Sequence, residues 1–156
     1  MFDRISGLPG HPLIVHGAVV LVPLLCLLAI VYALVPRFRP QSWWAAGGLA
    51  IVAPLVAWAA TSSGGSLAEE RYQDNLPARV HDHQQLGDMT YRATVILGLL
   101  TLVLVVLTSA RFSAARRTPT WLNWVLSALV VIAAAVDIYY VIRTGDSGAR
   151  NTWGSE

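Results

Sequence analysis

Four apolar blocks, each near twenty residues long, constrain this chain more than any motif does. A bilayer core is crossed by roughly 20 apolar residues at about 1.5 Å rise each. The blocks lie at residues 12–35, 43–62, 85–110 and 121–142. Only 13% of residues are charged, against about a quarter in an ordinary soluble domain. Little is left over for a second domain, so residues 1–156 read as one integral-membrane domain. The expected fold class is all-α, a four-helix transmembrane bundle.

Local signals set the boundaries. Pro12 suits the first turn of a helix, because its missing N–H has no partner there anyway. Pro36 and Pro40 end the first block. It is too long for a signal-peptide apolar region and reads as a retained span. In the second block Ala46, Ala50, Ala53 and Ala57 recur at helical spacing, which lets helix backbones approach closely in lipid. "SSGG" at residues 62–65 reads as a breaker, residues 64–80 as a polar connector, and residues 143–156 as a flexible tail. The third helix reaches back beyond its apolar part to near His81.

The short loops "PRFRPQ" and "ARFSAARRTPT" hold five Arg and no acid. That density predicts a cytoplasmic side for them, with both termini outside. Trp43, Trp44, Trp121 and Trp124 would mark the inner interface, and Tyr91, Tyr139 and Tyr140 the outer one. The expected location is the bacterial cytoplasmic membrane, multi-pass, with the lipid bilayer as the obligatory partner. A net charge of +2, scattered along the chain, excludes nucleic-acid binding. The single cysteine, Cys26, falls mid-span and reads as a small hydrophobe.

All four histidines fall at one end of the bundle, because the first and third spans start from the same side. His11 reads as an interfacial helix start. His16, five residues on, is rotated by about 140° from it and lies about one turn into hydrocarbon. An ionisable group there is costly and should face the bundle. His83, Gly87, Thr90, Thr94 and Gly98 share one small, mildly polar helix face. His81, Asp88 and Arg92 share a neighbouring face, with Asp88 and Arg92 spaced as an i,i+4 ion pair. Two residues separate His81 from His83, so at most one of them should share a site with His16. With the apolar part of the third block confined to residues 93–110, Asp137 is the sole acid inside an apolar run, and Arg92 or a histidine across the bundle is its expected partner.

There is no HExxH, GxSxG or other hydrolase, kinase or transferase signature, so an enzyme is not expected. Three readings remain open. Two histidines facing each other with glycine nearby suit bis-histidine haem b and one-electron transfer. His16, His83 and Asp137 could instead hold a first-row metal or handle protons. The polar groups could also serve as glue in a cofactor-free accessory subunit. In the first reading His16 and His83 are the axial ligands, with His11 and His81 as weaker candidates. Gly87 would make room, and Arg92 and Asp137 would orient a ligand or a propionate.

"LPGHPLIVHGAVVLVPLLCLLA" followed by "VHDHQQLGD" resembles a family of bacterial predicted membrane proteins, domain of unknown function 2231. Members open their first of four spans with G-H-P-[LI]-x-V-H and begin the third with a histidine-plus-glycine motif. The resemblance covers roughly residues 8–142 and carries His11, Pro12, His16, His83 and Gly87. Gly17 and Ala18 stand where Phe and often Pro are commoner. The family brings no established activity. Relatives fused to Rieske-type iron–sulphur domains imply a redox partner of that kind, although one cysteine cannot bind a cluster here.

Overall fold

The computed structural model describes residues 4–5, 8–73, 75–109 and 119–154. Two two-residue strands, β1 (Arg4–Ile5) and β2 (Leu8–Pro9), pair antiparallel just before the first helix. Four long helices follow: α1 (Gly10–Leu34), α2 (Arg39–Tyr72), α3 (Ala78–Thr108) and α4 (Thr120–Trp153). Each is long and apolar enough to cross a membrane. The fold is an all-α four-helix bundle.

The turn between α1 and α2 is tight for local reasons. Val35 leaves the helical region before Pro36, as the pre-proline clash requires. A 3-10 turn over Pro36–Phe38 follows, and Pro40 sits in the first turn of α2. Arg39 then reaches back, donating from Nε to the Tyr32 carbonyl at 2.9 Å and from Nη2 to the Ala33 carbonyl at 3.0 Å. Carbonyls in the last turn of a helix lack intrahelical partners, and the Ala33 carbonyl also accepts from Ser127 Oγ at 3.3 Å.

Two expectations are corrected. The "SSGG" stretch does not break α2, which runs on to Tyr72. Thr61, Ser63 and Ser66 turn their hydroxyls back onto the Trp58, Ala60 and Ser62 carbonyls, so they do not compete with the helix. The connector therefore shrinks to the few residues between Tyr72 and Ala78, entered through Gln73 at a left-handed φ of 48°. Residues 143–153, expected as a flexible tail, continue α4. They dock on α3, where the Asn151 side chain donates to the Arg79 carbonyl at 3.2 Å. Of the two Arg-dense loops, residues 110–118 lie outside the described residues.

In the bundle α1 packs against α2 and α4, and α3 packs against the same two, so α1 and α3 lie on a diagonal. Ala46, Ala50, Ala53 and Ala57 are buried, as their spacing implies. They let α3 approach so closely that a Cβ at Gly98 would sit 2.6 Å from the Ala50 carbonyl oxygen. Helices α2 and α4, with 34 residues each, are about 51 Å long and exceed a hydrocarbon core by about 20 Å. Their excess is polar and stands at the histidine end. The opposite end carries Trp44, Trp121 and Trp124, all exposed, and is called the Trp end below.

Candidate functional site

His11 lies in the first turn of α1, and its ring turns onto α2. Nδ1 is 3.1 Å from the Ala60 carbonyl and 3.2 Å from Ser63 Oγ. The ring rests over Gly64, where a Cβ would come within 3.0 Å of Cε1. His83, in the second turn of α3, does the same on α4. Its Nδ1 is 2.7 Å from Ser147 Oγ, and a Cβ at Gly148 would come within 3.1 Å of its Cε1. Its ring also approaches the Thr144 carbonyl.

The two arrangements are built from the same parts. Ser63 Oγ donates to the Ala60 carbonyl at 3.0 Å, and Ser147 Oγ donates to the Thr144 carbonyl at 2.9 Å. Each clamp is thus a histidine at the start of one helix and a Ser-Gly dipeptide near the end of the next. In each, the serine is anchored three residues back. The α1–α2 and α3–α4 hairpins repeat one another in this respect.

The hydrogen bonds also set the tautomers. A carbonyl oxygen only accepts, so His11 donates through Nδ1–H. The Ser147 proton is committed to Thr144, so His83 donates through Nδ1–H as well. Neither Nε2 makes a hydrogen bond with a described residue, so each keeps its lone pair. The two rings are near enough for a charge on His83 to be felt at His11.

His16 does not face the bundle. It is exposed on the outer surface of α1, with Nδ1 bonded to the Pro12 carbonyl. Because α1 is regular from Gly10, the rotation between His11 and His16 forces a choice, and His11 takes the inward phase. His11, expected only as an interfacial helix start, instead holds its ring against α2. His81, Asp88 and Arg92 are exposed, and Asp88 and Arg92 form no ion pair with each other among the described residues. Gly87 is half-buried against Thr61 of α2.

Asp137 is fully buried, but neither Arg92 nor a histidine reaches it. Thr94 Oγ1 donates to its Oδ1 at 3.0 Å, and the Cys26 thiol donates to its Oδ2 at 3.7 Å. It lies ten residues before Ser147 on α4, about 15 Å deeper in the bundle. Among the described residues no cluster of three or more His, Cys, Asp or Glu could hold a metal ion.

Sequence reasoning missed Ser63, Gly64, Ser147 and Gly148. The available signal was one dipeptide, Ser-Gly, near the end of the second and fourth helices, once inside "SSGG" and once inside "GDSGAR". Comparison with curated proteins and with solved structures finds no match. The model of one family, described as predicted membrane protein (DUF2231), matches residues 7–156. With four helices able to span a bilayer and a family match over nearly its whole length, the chain is a multi-pass membrane protein that belongs to the DUF2231 family.

Proposed function

We propose that the protein binds haem b between His11 and His83 and serves as an electron-transfer or redox-accessory subunit. One observation carries the reading: two histidines on diagonal helices, each oriented through Nδ1 and each left with a free Nε2 lone pair. Orientation by a hydrogen bond on the second ring nitrogen is the usual support for a metal-ligating histidine. Glycine beneath each ring gives it room.

The number of donors separates haem from a bare metal. Structural and catalytic zinc sites take three or four protein ligands. A macrocycle brings four nitrogens of its own and asks the protein for two. Among the described residues no group of three or more His, Cys, Asp or Glu could hold a metal ion. His11 and His83 would hold the haem, which would supply one-electron chemistry and so fit a carrier better than an enzyme. Gly87 stays in the proposed site, while Arg92 and Asp137 leave it. Arg71, Arg79, Arg143 and Arg150 are exposed on the helix extensions at the histidine end and are the candidates to meet carboxylate groups there.

Arg-dense short loops at the Trp end favour that end as cytoplasmic, with the histidine end and both termini outside a bacterial cytoplasmic membrane. An iron–sulphur protein is the partner class suggested by the fused relatives, and it would dock at the histidine end.

The test is a visible spectrum of the protein purified in detergent after haem-replete expression, with and without dithionite. A Soret band with α and β bands that sharpen on reduction is the expected result. A featureless spectrum would sink the reading, and elemental analysis of that sample would then look for a non-haem metal.

A further inference from the structure

A ladder of hydroxyls leads from one clamp into the core. Ser147 Oγ bonds His83 Nδ1 at 2.7 Å and donates to the Thr144 carbonyl. The Thr144 and Thr90 hydroxyls are 2.8 Å apart. Thr94 Oγ1 has one proton and two acceptors, the Thr90 carbonyl at 2.9 Å and Asp137 Oδ1 at 3.0 Å. Asp137 Oδ2 in turn accepts from Cys26. Two rungs run to the carbonyl of a residue whose own hydroxyl is the next rung. The Thr90 hydroxyl likewise bonds the Leu86 carbonyl at 2.9 Å, so passage of a proton along the seam of α3 and α4 asks these hydroxyls to turn from helix carbonyls to one another.

The fold does not require this ladder. The α1–α2 hairpin repeats the clamp and supplies a control within the same molecule. Thr144 precedes Ser147 by three residues, as Ala60 precedes Ser63. Asp137 corresponds in this way to Ala53, Thr90 to Ala18, and Thr94 to Val22. Ala53 and Val22 are fully buried and pack without polar partners. The polar groups of the α3–α4 seam therefore exceed what packing asks for, and intramembrane carboxylates with polar neighbours are commonly proton relays.

Towards the Trp end the ladder stops. Leu97, Leu104, Val130 and Ala134 are fully buried beyond Asp137. The Thr101 hydroxyl is buried among them and has no hydrogen-bond partner among the described residues. The next polar contacts are Ser127 Oγ with the Ala33 carbonyl at 3.3 Å and Tyr32 Oη with Thr108 Oγ1 at 3.1 Å, both towards the other end.

We infer that Asp137 is a proton-exchanging group served from the histidine end alone, through Thr94, Thr90, Thr144 and Ser147. As a proton passes outward, an O–H bond breaks at each rung while one forms at the next. Asp137, first protonated by the inward passage from water at the histidine end, thereby returns to the carboxylate that accepts from Thr94 and Cys26, and that water regains the proton. The inference does not rest on haem: it holds whatever His11 and His83 bind.

Cys26 supplies the reporter, because it is the chain's single cysteine and its thiol touches Asp137. The protein is reconstituted in lipid, water is replaced by D2O, and conversion of the S–H stretch to S–D is followed by infrared spectroscopy. Wild type converts readily. Thr90→Val and Thr94→Val slow conversion by about tenfold or more, the effect of removing one hydrogen-bonded step. Thr94→Ser restores the rate, which a purely structural role for Thr94 would not predict. Thr101→Val, beyond Asp137, leaves the rate unchanged. Unchanged conversion in both Thr90→Val and Thr94→Val would overturn the inference, and so would slowing by Thr101→Val. Far-ultraviolet circular dichroism of each variant confirms that the bundle is intact.

Discussion

Two pairs of histidines sit at the same end of the bundle and differ in everything except position. His11 and His83 turn inward, each held through Nδ1 above a glycine of the neighbouring helix. His16 and His81 are exposed, and His16 bonds only within its own turn. Depth along the chain does not separate the pairs. His16 is deeper in its span than His11, and His81 and His83 are two residues apart. What separates them is rotational phase, and phase is set by the face each helix turns towards its neighbours.

The sharpest way to break this comparison is to remove the histidines one at a time. His11→Ala and His83→Ala should each abolish the haem spectrum, because either leaves the iron with one protein ligand. His16→Ala and His81→Ala should keep full occupancy. A haem-to-protein ratio for the four variants decides it, and loss of haem in the His16 variant alone would reverse the assignment.

The glycines beneath the rings come next in size. A methyl group at Gly64 or Gly148 meets an imidazole at about the closest tolerated distance, 3.0 and 3.1 Å respectively. The ring must shift, and overpacking of this kind costs about 1–3 kcal/mol. Gly64→Ala and Gly148→Ala should weaken haem binding and broaden the reduced bands without preventing insertion of the protein. Ser63→Ala and Ser147→Ala should do less, since the Ala60 and Thr144 carbonyls still lie near each ring. A loss of affinity near the low end of the roughly 10–100-fold range for such supporting groups is expected, read by haem titration of the apoprotein.

The spans were readable because bilayer thickness imposes a length, and the alanine stripe of α2 was readable because a 3.6-residue period exposes a face. The clustering of the histidines at one end followed from span parity alone. Their roles did not. His16 was favoured for its depth in hydrocarbon, yet a histidine near a helix start can lie at the lipid surface and satisfy Nδ1 on a carbonyl of its own turn. Asp137 was expected to need a cation, whereas a hydroxyl and a thiol from two other helices meet it instead. Such partners leave no periodic mark on the sequence. The helix ends were missed for a related reason. Glycine lowers helix propensity by about 1 kcal/mol relative to alanine, so "SSGG" reads as a breaker and residues 143–156, with "TGDSG", as a flexible tail. Packing against α1 and α3 offsets that cost, and no local pattern records it.

The smallest expected effect, of opposite sign, tests why those glycines are there. Gly65 and Gly145 stand one and three residues from the clamp glycines, in the same helices, and a Cβ at either meets nothing within 4 Å. If glycine served helix flexibility in general, all four positions would respond alike to alanine. If it serves the rings, the pairs must diverge. Gly65→Ala and Gly145→Ala should then stabilise the helix extensions by up to about 1 kcal/mol, by removing backbone freedom from the unfolded segment. Slower amide hydrogen exchange over the ends of α2 and α4 would report this, with the haem spectrum unchanged. Gly64→Ala and Gly148→Ala carry the same propensity gain, yet they should lose spectral definition because the added methyl meets His11 or His83. A shared response of the haem spectrum at all four positions would remove the rings as the reason for glycine and leave the resemblance between the two clamps without a physical cause.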